Sequence, residues 1–116
     1  MNKSKFKIIM NERARIQQDA QDNDYLGIEI CCKETIDIIK EDISGFIVFL
    51  KEECNAQDFL FITEWFDELA SSIKSQELFT CLRLLIKNRF TEENQKYHIE
   101  KDLDDAIKNY GGGILP

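Results

Sequence analysis

Proline is almost missing from this chain of 116 residues, occurring once, as Pro116. Glycine is confined to Gly27, Gly45 and the run Gly111-Gly112-Gly113, so the punctuation that hairpins need is absent. His98 is the one histidine, and no Ser/His/Asp arrangement can be assembled around it by spacing. A Glu-x-x-His ligand pair would need a carboxylate at position 95, where Gln95 stands. A calcium loop starting at Asp22 fails at its fifth position, Leu26, and at its twelfth, Lys33. No glycine-rich turn joins a strand to a helix to cradle phosphate. Cys31, Cys32, Cys54 and Cys81 include no C-x-x-C, and neighbours 31 and 32 point about 100° apart on a helix. They read as small buried hydrophobes in a reducing compartment, holding neither metal nor disulfide. No cofactor, metal site or catalytic residue is expected, and the chain reads as a non-enzyme.

Long apolar runs are lacking too. The longest, Gly45 to Leu50, is far too short to span a bilayer. The basic start, with Lys3, Lys5 and Lys7, leads into no apolar stretch of the secretory kind. The expectation is a cytoplasmic protein without membrane contact.

Positive charge is scarce where negative charge is dense. Residues 21–70 hold thirteen carboxylates against Lys33, Lys40 and Lys51. Residues 1–20 are basic by three charges, and residues 71–116 balance at seven against seven. With a pI near 4.7 and no basic stripe beyond the first few residues, nucleic-acid binding is not expected. A surface of one sign instead hastens capture of a basic protein.

What the sequence does contain is helical periodicity. With 43% hydrophobic residues, eight Phe, three Tyr and one Trp, it has ample material for a core. A first helix is predicted over 4–21, with Phe6, Ile9, Met10, Ile16 and Ala20 on one stripe. Asn23 or Asp24 caps a second, carrying Tyr25, Ile28, Cys32, Thr35, Ile36, Ile39 and Ile43 inward. Ser44-Gly45 breaks it before a short apolar segment, Phe46 to Leu50. Asn55 caps a helix whose inner side runs from Phe59 through Ile62, Phe66 and Leu69 to Ile73. Ser75 caps another built on Leu78, Phe79, Leu82, Leu85 and Ile86, ended by Lys87 and Arg89. Thr91 opens a short turn. A last helix from about Glu100 turns Leu103, Ala106, Ile107 and Tyr110 inward, and the glycines end it. The expected architecture is all-α: one compact domain over 1–116 of six to seven antiparallel helices, with 110–116 as a flexible tail. One core is expected to hold Ile28, Ile39, Phe59, Ile62, Phe66, Leu69, Leu82, Leu85 and Leu103.

The candidate interface follows from the helical faces. Glu34, Asp37 and Glu41 lie opposite the apolar stripe of the second helix. Glu64, Asp67 and Glu68 fall at about 200°, 140° and 240° from Ile62 on the fourth segment, from a step of about 100° per residue. Trp65 flanks that stripe, either as a core aromatic or as a partly exposed anchor beside Glu64 and Glu68, and it joins the six acids as a candidate. Leu26 and Ile30 lie off the main stripe of the second helix.

The order Asn23-x-Tyr25, Glu29, Ile36, Ile43, then Phe46-x-x-Phe49, Cys54, Asp58-Phe59, then Glu64-x-x-Asp67-x-Leu69, Ser75-x-Glu77-Leu78 and Leu82 resembles small helical immunity proteins of bacterial contact-dependent growth inhibition and polymorphic-toxin systems. Glu92-Glu93-Asn94-x-Lys96-Tyr97-x-Ile99, Asp102-Leu103 and Ala106 continue it. The resemblance spans residues 22–108, with Phe90-Thr91 where an aromatic followed by proline is expected. It implies a non-enzymatic inhibitor bound to the C-terminal domain of a cognate toxin inside the producing cell. That partner would be a basic nuclease, similar to RNA-cutting EndoU-like or RNase A-like folds, because nuclease clefts bind phosphate. The alternative is a regulatory adaptor or anti-activator whose acidic helices bind another basic protein.

Overall fold

The computed structural model describes residues 1–20 and 23–115, and among them every regular element is helical. There are eight helices: α1 Lys3–Ala20, α2 Tyr25–Glu41, α3 Ile43–Glu52, α4 Ala56–Thr63, α5 Phe66–Ser72, α6 Gln76–Asn88, α7 Thr91–Tyr97 and α8 Ile99–Tyr110. The all-α class agrees with expectation, while the count exceeds six to seven. The chain divides into two compact units, Met1–Phe46 and Ile47–Pro116. The Ala20 side chain, Gln21, Asp22 and Pro116, which the predicted first helix, the rejected calcium loop and the tail include, lie outside the described residues.

In the first unit, α1 and α2 pack as an antiparallel hairpin. Three contacts fix the direction. The Met1 α-amino group lies 2.8 Å from Asp42, the Cys31 thiol faces the Ile9 carbonyl at 4.0 Å, and Gly27 lies against Ile16. The close approach explains a glycine inside a helix, where it ordinarily costs up to ~1 kcal/mol. A Cβ on Gly27 would stand 2.9 Å from Ile16 Cδ1 and collide with the Asp24 carboxylate. That carboxylate is the N-cap of α2, accepting from the Gly27 N–H at 2.9 Å. Phe6, Ile9, Met10, Ile16, Cys31, Cys32, Thr35, Ile36, Ile38 and Ile39 are buried. Ile28 is half-buried, and Tyr25 points to solvent because it is the first residue of its helix, before the stripe is established.

The division between α2 and α3 falls one residue pair earlier than Ser44-Gly45. Asp42 ends α2 and its carboxylate accepts from the Gly45 N–H at 2.9 Å, which starts α3. Gly45 thus belongs to the first turn of α3, and a Cβ there would collide with the Asp42 carboxylate.

The second unit is organised around α8, which packs on α4, α5, α6 and α7, most extensively on α5. Asn55 and Ser75 cap α4 and α6 as expected, accepting from Asp58 N–H at 2.8 Å and Leu78 N–H at 3.2 Å. The single helix expected from 55 to 73 is two. The Thr63 hydroxyl donates to the Leu60 carbonyl at 2.7 Å, and Glu64 and Trp65 N–H groups reach back only three residues, to Phe61 and Ile62. This tightened turn ends α4. Asp67 and Glu68 then sit in the first turn of α5, where the positive end of its dipole favours them. Between α7 and α8, His98 adopts φ 56°, ψ 45°, left-handed backbone uncommon outside glycine and asparagine. The Asn94 side chain caps the junction, accepting from the Glu100 N–H at 2.8 Å.

Phe59, Ile62, Phe66, Leu69, Leu82, Leu85 and Leu103 are all buried in this unit. Phe90 stacks on Phe59 with centroids 4.3 Å apart. Tyr110, expected inward, is half exposed at the last turn of α8, where its carbonyl accepts from Lys74 at 2.8 Å. The segment expected to be a loose tail carries bonds as far as residue 115. Gln76 exchanges two hydrogen bonds with the Leu115 backbone, at 2.8 and 3.2 Å, and Ile114 is buried.

Candidate functional site

The broken α4–α5 segment and α8 together form an acidic groove of about 360 Å³, lined by Thr63, Glu64, Phe66, Asp67, Asp102, Asp105, Asn109 and Tyr110. Each acid arrives by a local rule. Glu64 is the C-cap of α4. Asp67 and Asp102 stand in the first turns of α5 and α8, where carboxylates offset unpaired N–H groups. Asp105 lies one turn beyond Asp102 on the same face. Phe66 is buried, and the half-exposed Tyr110 completes the lining.

All four carboxylates are exposed, so the groove presents negative charge to water. Part of it is compensated. Lys101 holds Asp105 at 2.9 Å, and that hydrogen bond and charge raise the Lys101 pKa above its ordinary value. Lys74 donates to the carbonyl of Tyr110, a lining residue, at 2.8 Å and so brings a second cation beside it.

Glu34, Asp37, Glu41, Glu64, Asp67 and Glu68 are all exposed, as their helical positions require. Glu64 and Asp67 meet in the groove, and Glu68 lies outside its lining. Glu34, Asp37 and Glu41 belong to α2, in the other unit. Glu34 lines a smaller groove of about 270 Å³ with Ile8, Ile9, Glu12, Gly27, Ile30 and Cys31. Trp65 is 4% exposed, so of the two places open to it, it takes that of a core aromatic beside Ile62 and Phe66 and leaves the candidate surface. Its Nε1 has no hydrogen-bond acceptor.

Asp102 and Asp105 complete the groove but were not among the six. Their first-turn position on α8 is readable from the sequence. Their proximity to Glu64 and Asp67 depends on α5 packing against α8, which no local pattern encodes.

All four cysteines are buried, and none is in a disulfide. Burial pushes the Cys31 and Cys81 thiols above their ordinary pKa, and Glu12 and Glu34 add to the rise at Cys31. Both are poor nucleophiles as a result. Among the described residues no group of three or more His, Cys, Asp or Glu could hold a metal ion, and no helix is long and apolar enough to cross a membrane. Comparison of the chain with protein-family models, curated proteins and solved structures gives no match.

Proposed function

We propose that this chain is a non-enzymatic binding protein that captures a basic protein through its acidic helices. In its most specific form it is an immunity protein that occupies the phosphate-binding cleft of a cognate nuclease toxin inside the producing cell. The observation that carries the reading is the convergence of Glu64, Asp67, Asp102 and Asp105 on one groove. A row of exposed carboxylates can stand where RNA phosphates would lie, against the Lys and Arg residues of a nuclease. The resemblance of residues 22–108 to immunity proteins supports the same partner. Nucleic acid itself is repelled by such a surface, and no membrane contact is invoked.

The test is co-expression with the C-terminal domain of the toxin encoded directly upstream. The wild-type chain is expected to protect the host cell. Glu64→Lys, Asp67→Lys and Asp105→Lys combined remove the dipole contact of Asp67 and the Lys101–Asp105 pair, all at exposed positions outside the core; the variant, confirmed folded by circular dichroism, should abolish protection. A gene neighbourhood without a toxin overturns the immunity reading. Full protection by the triple variant removes the interface from this groove.

A further inference from the structure

The outer face of α2 is divided along its length. At about 100° per residue, Leu26, Ile30, Glu34, Asp37 and Glu41 fall within roughly 40° of the Ile30 direction. The stripe is therefore apolar in its first half and acidic in its second. Leu26 is 68% exposed and Ile30 49%, and the three acids are exposed as well. Across the hairpin, Ile8 of α1 is 68% exposed and shares with Ile30 and Glu34 the groove of about 270 Å³. Lys33 and Lys40 flank the stripe on one side, and Glu12 lines the groove on the other. Ile8 and Ile30 line this groove and Leu26 stands one helical turn from Ile30 on the same stripe, so the exposed apolar side chains form a patch rather than single scattered ones.

The geometry points to a docking surface for one amphipathic helix of a protein partner, carrying two or three apolar anchors in one half and Lys or Arg in the other. Apolar anchors fill the groove between Ile8 and Ile30, and the basic half meets Glu34, Asp37 and Glu41 about one to three turns further along α2. The acidic half decides the occupant. An uncharged or acidic helix would bury the same apolar area while leaving the carboxylates unpaired or repelled. The surface lies in the first unit, separate from the groove of Glu64 and Asp67, and stands whether or not the partner is a nuclease.

Three synthetic helical peptides of about 18 residues, five turns, test it on the full chain. One has Leu in its first half and Lys in its second; one replaces Lys by Glu; one replaces Leu by Ser. With the Leu/Lys peptide, amide shifts in NMR spectra should centre on Ile8, Leu26, Ile30, Glu34, Asp37 and Glu41, and both controls should bind at least about tenfold more weakly. Leu26→Glu with Ile30→Glu, confirmed folded by circular dichroism, should weaken the Leu/Lys peptide by a similar factor. Equal binding of either control overturns the proposal, as do shifts centred on Glu64 and Asp67. A dimer in light scattering that this double variant dissociates would show that a second copy is the occupant instead.

Discussion

The Arg89 guanidinium donates to the Leu50 and Lys51 carbonyls at 3.0 Å each and to the Cys54 carbonyl at 2.6 Å. Its place after α6 suggests service to that helix's own dipole, but its partners are the carbonyls at the end of α3 and the turn that follows. A helix C-terminus leaves four carbonyls unpaired, and a planar fork of donors can reach several at once. The same guanidinium lies 5.1 Å from the centroid of the Phe90 ring, which stacks on Phe59. Arg89→Ala is expected to lower stability by about 1–3 kcal/mol in urea denaturation, since charged hydrogen bonds are lost at a partly exposed site. Arg89→Lys should recover only a minor part, because an ammonium is a point charge without the fork. Full recovery by lysine would reduce the role of Arg89 to charge alone.

Where one helix hands over to the next, Asp42 serves two purposes. The Met1 α-amino group and then the Gly45 N–H hold its carboxyl below the usual carboxylate value. A depressed folded pKa adds stability above the unfolded value near 3.8, and that stability disappears as pH falls through the folded pKa. Asp42→Asn should therefore lose less stability than the wild type between about pH 6 and about pH 2.5 in denaturant titrations. Parallel loss in both proteins would show that other carboxylates carry the acid limb. Caps of this kind were legible beforehand: Asp24, Asn55 and Ser75 act within three residues of themselves. The break at Glu64–Trp65 was not, because Ile62, Phe66 and Leu69 keep helical spacing across it. The exposure of Glu64 and Asp67 was legible from their own helices. Their meeting with Asp102 and Asp105 was not, since it joins residues more than thirty positions apart through α5–α8 packing.

The net charge of −7 acts on the chain as a whole. Thirteen carboxylates in residues 21–70 repel one another, and the screening length falls from about 30 Å at 0.01 M salt to about 8 Å at 0.15 M. The melting temperature at neutral pH should accordingly rise over that interval, while association with a basic partner slows. A melting temperature that stays level or falls would mean that Lys and Arg already balance the acids locally. The indole of Trp65 gives such a melt a second channel. It is the only tryptophan, is shielded from water with its N–H unpaired, and lies in the second unit. Its emission shifts to the red when residues 47–116 open, and the α1–α2 hairpin is dark at that wavelength. Circular dichroism counts the helices of both units. Comparing the two curves on unlabelled protein gives the order in which the units come apart.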